Sequence, residues 1–369
     1  MVRIMHISDT HLGYRQYMLG EREADFYDSF ERAIEMAREE HVDMIVHSGD
    51  IFETSHPSNQ ALKVFKDALM KINGKIKYFA VLGDHDRPRK RDYPAPNLFD
   101  FLGIKVLGIN ELEHEVVHID NKELLVAGLS NLKGIYANRI LEEFEKADLL
   151  AQNFKYSIFV GHEGISTFLP DENWEVDFKD LPKNFNYLAF GHLHSRVIKE
   201  YGKGYFAYAG STEIHSEEEI INYKKEGKGA YLVDLDTGVN VEKLNIDTIR
   251  PQDKIDTDAG HWIDDLKNVL SISYAKKPVI HLNISGKINA SDVHSIIDEQ
   301  FKNSMLDYRL KLAPTIMSNE DLSSVNLKDS FTDYFKDENM GAFAYNLFEL
   351  LQNDTEEAYD FILKTMERW

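Results

Sequence analysis

Apolar residues recur in short runs along the first half of the chain, and several of these runs end in small, acidic or histidine residues. Arg3–Ser8, Asp43–Ser48 and Lys77–Leu82 read as strands. Between them, Ala24–Glu40 and Asn59–Ile72 carry the three-to-four-residue spacing of amphipathic helices. Strand–helix–strand alternation implies right-handed crossovers and a mostly parallel sheet with helices on its faces. A more β-rich stretch follows, with short strands over Val106–Ile109, Glu115–Ile119 and Leu124–Gly128. The helix Ala137–Leu150 leads into strands Ser157–Val160 and Tyr187–Phe190, and Tyr205–Ala209 and Ala230–Leu235 close the sheet. Around Asn245–Gly260 the pattern lapses into polar residues with Pro251, which marks a boundary. Beyond it come helix Trp262–Leu270, strand Pro278–Ile284, helix Ala290–Phe301 and strand Met305–Leu312, a small α/β module. A polar linker, Ser318–Asp329, precedes a helical tail from Ser330 onward.

Composition narrows the class. A chain of 369 residues has room for two or three domains with real cores. Its formal net charge of -21 argues against whole-surface binding to nucleic acid or acidic membranes. A local basic groove stays compatible with that charge, and so does a site where carboxylates hold metal ions against phosphate. The absence of cysteine excludes disulfides, thiolate nucleophiles and Cys-based zinc sites. No apolar run approaches the roughly 20 residues of a membrane span, and because the N-terminal residues read as a strand at once, no signal peptide is expected. A soluble cytoplasmic protein is expected, with no membrane partner.

The chemistry gathers at the strand ends. In open α/β sheets, ligands bind outside the C-terminal ends of the strands. The polar groups there are Asp9 and His11, Asp50, Asp84 and His85, His162, and His192 and His194. Mixed carboxylate and imidazole donors suit first-row ions such as Mn, Fe, Zn or Co better than calcium. A single histidine proves little in a chain with fifteen, and His6 and His47, inside strands, read as satisfied core residues. The ordered set D-x-H, GD, GDHD, GH and GHxH, each at a strand end, points to a dinuclear metal site.

This set resembles the signature of the calcineurin-like metallophosphoesterases over roughly residues 1–240. ISDTHLGYRQY, HSGDIF, GDHDR followed by PAPNLFDFLGI, and FGHLH followed by YAGST are similar to one branch. That branch is the meiotic recombination eleven and SbcD-like nucleases of double-strand-break repair, in a short, archaeal-looking form. The resemblance implies a two-layered β-sandwich flanked by helices over residues 1–245, a small α/β capping domain over 255–315 and a helical tail over 330–369. It implies a two-metal DNA nuclease, exonuclease on double-stranded ends and endonuclease on single strands. Two Mn²⁺ ions per subunit are expected, although other divalent first-row metals would serve. Asp9, His11 and His194 would hold one ion, Asp84, His162 and His192 the other, and Asp50 would bridge. His85 would be the general acid or phosphate donor. The expected partners are DNA ends, an SMC-like coiled-coil ABC-type ATPase and a second copy of the chain, with a location near the nucleoid. Apolar faces on Ala24–Glu40 and Asn59–Leu69 are candidates for the two-fold contact.

Two positions depart from the family pattern. The residue at 84 is usually asparagine, and aspartate adds a negative charge that would tighten ion binding while making the pair less electrophilic. Some members carry a histidine three residues after the bridging aspartate; here Glu53 stands there and is expected to orient His85. Tyr14, Arg15, Tyr17, Arg87, Arg89, Lys90 and Arg91 cluster beside the motifs and are candidates for DNA phosphate contacts. In the tail, Phe331, Tyr334, Phe335, Phe343, Leu347 and Leu350 form an apolar stripe among nine acidic and three basic residues, a candidate surface for the ATPase. Two other readings share the same metal ligands: a small-molecule phosphodiesterase, and a catalytically weak scaffold that bridges DNA ends.

Overall fold

The computed structural model describes residues 1–88, 93–132, 134–170, 174–313, 327–335, 338–353 and 361. The first strands are β1 (Val2–Ile7), β2 (Met44–Ser48), β3 (Lys77–Val81) and β4 (Ile104–Val106), paired in parallel in that order. On the other side of β1, β11 (Gly229–Leu235) and β12 (Val239–Asn245) add antiparallel edges, completing a six-stranded sheet. A second six-stranded sheet has the order β5-β6-β7-β8-β10-β9. Its strands are β5 (Glu113–Ile119), β6 (Lys122–Leu129), β7 (Tyr156–His162), β8 (Tyr187–Gly191), β9 (Val197–Tyr201) and β10 (Gly204–Tyr208). The single sheet read from the strand–helix alternation is thus two sheets, as the family resemblance implies.

The two-residue period of the strands explains the layering. Val2, Ile4, Met44, Val46, Phe79 and Val81 point to one side and meet Leu124, Val126, Ile158, Val160 and Ala189 of the second sheet. Met5, Ile7, Ile45 and Ala80 point to the other side, where α1 (Gly20–Glu39) and α2 (Asn59–Ile72) lie against them. The start of α2 is set by Ser58, whose hydroxyl accepts the N–H of Ala61. On the far face of the second sheet, α3 (Ile140–Ala151) packs Phe144 and Ala147 against Phe159 and Leu125. His6 joins the sheets from inside, hydrogen-bonded to Tyr187 Oη at 2.9 Å and Ser48 Oγ at 2.8 Å. His47 is equally buried, and burial pushes both imidazoles down to about 3. Both are core residues, as their place inside strands predicts, but only His6 is satisfied at both nitrogens: His47 Nε2 meets Thr10 Oγ1 at 3.2 Å and its Nδ1 has no hydrogen-bond partner among the described residues.

The apolar faces of α1 and α2 are consumed by this core: Phe30, Ala33, Ile34, Phe65 and Leu69 are all buried. They do not supply the free face expected for a two-fold contact. Large apolar side chains left exposed nearby in sequence are Met70, Leu98 and Phe101.

The sequence pattern misses β9, β12 and the helix α4 (Glu219–Glu226). It also misses β13 (Gln252–Asp258), which occupies the stretch read as a polar lapse. With β14 (Val279–Ser285) and β15 (Asp307–Ala313) it forms a three-stranded sheet in the order β13-β14-β15. Helices α5 (Trp262–Leu270) and α6 (Ala290–Gln300) lie between these strands in sequence. The tail contains α7 (Leu327–Phe335) and α8 (Glu338–Asn353), so helix begins inside the expected linker. Phe331 packs on Tyr345 and Phe348, with ring centroids 6.0 and 5.6 Å apart, and Phe343 stacks on Phe361. Leu347 and Leu350 are half-buried, whereas Phe335 and Tyr334 are exposed, Tyr334 to 81%.

The chain divides into two compact units. One comprises Met1–Ile255, Asp264–Leu282 and Ile297–Arg309, and the other Asp256–Ile263, Asn283–Ile296 and Leu310–Trp369. Among the described residues, no helix is long and apolar enough to cross a membrane.

Candidate metal centre

Each candidate residue leaves its strand at the C-terminal tip, and the backbone there is unusual. Asp9, His11, Asp50 and His192 all have positive φ, at 49°, 42°, 52° and 96°. Non-glycine residues rarely adopt this conformation, which turns their side chains inward at a small strain cost. The turns are zipped together: Asp9 N–H donates to Gly49 O and His11 N–H to Asp50 O, each at 3.0 Å. The motif glycines are required by close approach. A Cβ on Gly49 would stand 2.4 Å from His162 Nδ1, and one on Gly83 would stand 2.2 Å from Asp50 Oδ1.

The donors converge in two groups. Asp9, His11 and His194 place one ligand atom each within 4.8 Å of one another, and so do Asp84, His162 and His192. Asp50 lies between them, its Oδ2 3.9 Å from His11 Nε2 and 3.4 Å from His162 Nε2. Within the groups, His11 Nε2 and His194 Nε2 face each other at 3.1 Å, and His192 Nδ1 stands 3.5 Å from Asp84 Oδ2.

The outer nitrogens fix the tautomers. His11 Nδ1 donates to Glu53 Oε2 at 2.9 Å, His194 Nδ1 to Glu219 Oε1 at 3.0 Å and His162 Nδ1 to Ser48 O at 2.7 Å. With Nδ1 carrying the proton, the Nε2 lone pairs of all three point at the centre, as ligand imidazoles require. The field there favours positive charge. Burial works against a charged His162, yet Asp50, Asp9 and Asp84 hold its pKa well above the usual range. Burial would raise Asp50, and His162, His11 and His85 nevertheless hold it well below. Nitrogen and oxygen donors aimed at one another in a cation-favouring field fit a pair of divalent first-row ions.

His85 is partly exposed at the rim, its ring 4.9 Å from that of His11. Its Nδ1 donates to the backbone carbonyl of Glu53 at 2.7 Å, and its N–H donates to Asp50 Oδ1 at 2.8 Å. Burial lowers its pKa, but Asp50, that carbonyl, and the Glu53 and Asp84 carboxylates outweigh it and leave it raised. The Glu53 carboxylate itself is 4.0 Å from His85 Nδ1 and is bonded instead to His11, which corrects the expected role: main chain, not side chain, orients His85. Burial works against ionised Glu53, yet its hydrogen bond from His11 and the His215 imidazole 3.7 Å away hold it at about 2.

Several residues escaped the sequence reading. Asp86, though inside GDHD, accepts the N–H groups of Ile51, Phe52 and Gly83 at 3.0, 3.0 and 3.1 Å, tying the Asp50 and Asp84 turns together. His215 stacks on Tyr14 with centroids 4.2 Å apart, and burial pushes it down to about 4. Glu219 and Lys228 form a buried pair beside His194. No local pattern marks them.

Of the candidate DNA contacts, Tyr14 is half-buried beside the centre and Arg15 is exposed. Tyr17, at φ 57°, lies under the Arg309 guanidinium at 4.3 Å. Arg87 is engaged with Asn131 O and with Asn110 Oδ1. Arg89, Lys90 and Arg91 lie outside the described residues.

The family model of the calcineurin-like phosphoesterases matches residues 2–196, the segment that carries both sheets up to β8 and the candidate donors from Asp9 to His194. The chain belongs to that family. Its similarity to the archaeal relatives called DNA double-strand break repair protein Mre11 runs nearly end to end. Identity with that of Thermoplasma acidophilum is 36% over 370 residues, covering 98% of this chain and 97% of the relative. With that of Methanocaldococcus jannaschii it is 32% over 366 residues, covering 95% and 94%. With that of Methanococcus maripaludis it is 31% over 370 residues, covering 96% of each. Within the calcineurin-like phosphoesterases the chain therefore stands on the Mre11 branch, as its motifs imply.

Proposed function

We propose that this chain is a two-metal nuclease that processes DNA double-strand breaks. The observation that carries the reading is the pair of donor groups, Asp9–His11–His194 and Asp84–His162–His192, with Asp50 Oδ2 between them. Its nearly full-length likeness to relatives named for double-strand-break repair supports DNA as the substrate.

Two Mn²⁺ or similar ions, bound there, would supply Lewis acidity and an activated water for in-line attack on a phosphodiester. The rest is the work of this chain's own residues. Glu53, Glu219 and the Ser48 carbonyl hold three imidazoles with Nε2 facing inward. Ser8 and the N–H of His192 fix the Asp9 carboxylate. His85, locked by the Glu53 carbonyl and favoured as a cation, donates a proton or hydrogen bond to the phosphate or leaving oxygen. Tyr14, stacked on His215 beside His11, and the exposed Arg15 next to it in sequence contact the DNA backbone. A coiled-coil ATPase docks on the tail through Tyr334 and Phe335, and exposed Leu98 and Phe101 serve a two-fold contact.

The test is cleavage of an end-labelled duplex with Mn²⁺, Mg²⁺ or chelator, beside bis(p-nitrophenyl) phosphate. Digestion with Mn²⁺ and none with chelator is expected. Cleavage of the small ester with the DNA left intact would make the protein a small-molecule phosphodiesterase. DNA cleavage that appears only in Asp84→Asn would make the natural chain a scaffold.

A further inference from the structure

The two metal positions are not built alike. At Asp9–His11–His194, both imidazoles donate Nδ1–H to carboxylates: Glu53 holds His11 at 2.9 Å and Glu219 holds His194 at 3.0 Å. At Asp84–His162–His192, the one imidazole whose outer nitrogen is bonded among the described residues, His162, meets a neutral carbonyl, Ser48 O, at 2.7 Å. An ionised acceptor makes the opposite ring nitrogen a better donor, and an anion behind a ligand adds directly to cation affinity.

Glu219 is itself held rigidly. It accepts Ser216 N–H at 3.0 Å, Ser211 Oγ–H at 3.1 Å and His215 N–H at 3.2 Å, and it is paired with Lys228, 2% exposed. Lys228 Nζ also donates to the backbone carbonyl of His194 at 2.8 Å, so one buried ion pair grips His194 by both ring and main chain. The Asp9 carboxylate is pinned by Ser8 Oγ and by His192 N–H at 3.1 Å. Exposure differs less sharply. The side chains of Asp9, His11 and His194 are 0%, 1% and 20% exposed, and those of Asp84, His162 and His192 are 22%, 0% and 24% exposed, so two of three ligands are open to solvent at the second position and one of three at the first.

We infer that the two ions are held unequally: Asp9–His11–His194 is a resident position, filled first and held by the carboxylates Glu53 and Glu219 as positioning residues, and Asp84–His162–His192 is an exchangeable one. The inference rests on the two-metal reading above. Its consequence is an enzyme whose activity is set by filling the second position, so that free divalent metal regulates it.

Titration of the metal-free full-length protein with Mn²⁺, read by calorimetry and by the electron paramagnetic resonance of free Mn²⁺, tests this. Two steps are expected, the first at least about tenfold tighter. Glu53→Gln should weaken the first step about 10–100-fold and leave the second within about twofold, so the steps draw together. Glu219→Gln leaves Lys228 without its buried counter-ion, so the double variant Glu219→Gln/Lys228→Met is used; it should weaken the first step in the same direction but by less than Glu53→Gln, because the lost cation offsets the lost anion. Two equal steps in the natural protein, or a Glu53→Gln effect confined to the weaker step, would overturn the inference while the two-metal reading stands. Failure to bind any Mn²⁺ would overturn both.

Discussion

Asp84 is where this chain most directly sets its own chemistry. Its side chain is 22% exposed and stands 3.5 Å from His192 Nδ1, so it brings a full negative charge to the more open metal position. Exchanging it for asparagine keeps an oxygen donor and removes that charge. Asp84→Asn should bind Mn²⁺ about tenfold more weakly at the second step, because affinity follows ligand charge. At saturating metal it should cleave a phosphodiester faster, the ions being more electrophilic. Calorimetry and initial rates read the two effects separately, and unchanged affinity would contradict the assignment of Asp84 to that position. Asp86 does different work nearby. Asparagine there has one accepting oxygen for the three N–H groups the carboxylate now takes, so Asp86→Asn should cost about 2 kcal/mol in urea unfolding. The seven candidate ligands were legible because each follows an apolar run. Glu219, Lys228 and His215 were not, since they meet His194 and His11 only through the fold and sit in stretches with no periodic signal.

At the scale of elements, the strands and helices buried on one or both faces were readable, and polar edges were not. β9 (VIKEY), β12 (VNVEKLN) and β13 (QDKIDTD) lie at sheet edges, where one flank faces solvent and little apolar pattern survives. The split into two sheets was equally silent in the alternation, because strands covered on both faces look the same in one sheet or two. Between elements, one ionic cluster stands out. Asp25 on α1 accepts from Arg22 at 2.8 Å, Lys276 at 2.9 Å and Arg250 at 3.1 Å while almost fully buried. Burial alone would raise its pKa, but Arg250, Lys276 and Arg22 outweigh it and hold it below 3.8. The unfolded state therefore binds the proton more readily, and the stabilisation is present above about pH 4 and lost as pH falls through the folded value. Asp25→Asn should cost about 3 kcal/mol at pH 7, since it takes the shared counter-ion from buried Arg250 and leaves Arg22 and Lys276 only Glu213 and Asp28, each at 3.3 Å. The gap from the natural protein should close below pH 4 in urea titrations, and a gap independent of pH would refute the ionic account.

For the whole molecule, a net charge of -21 means that DNA must be met by a small local surface. Salt dependence measures that surface. Arg15→Ala should weaken DNA binding uniformly across sequences and reduce the slope of log affinity against log salt by about one, with Mn²⁺ binding unaffected. An unchanged slope would remove Arg15 from the interface. The central claim is that two ions and His85 act together on a phosphodiester of DNA, and the decisive measurement pairs metal content with cleavage in one variant. Natural protein and His85→Gln are loaded with Mn²⁺, their bound metal is counted, and digestion of an end-labelled duplex is followed. The account predicts two ions in each and a rate about 10²–10⁴-fold lower in His85→Gln. Two bound ions with an unaltered rate in His85→Gln, or a natural protein that holds two ions and leaves DNA intact, would contradict it.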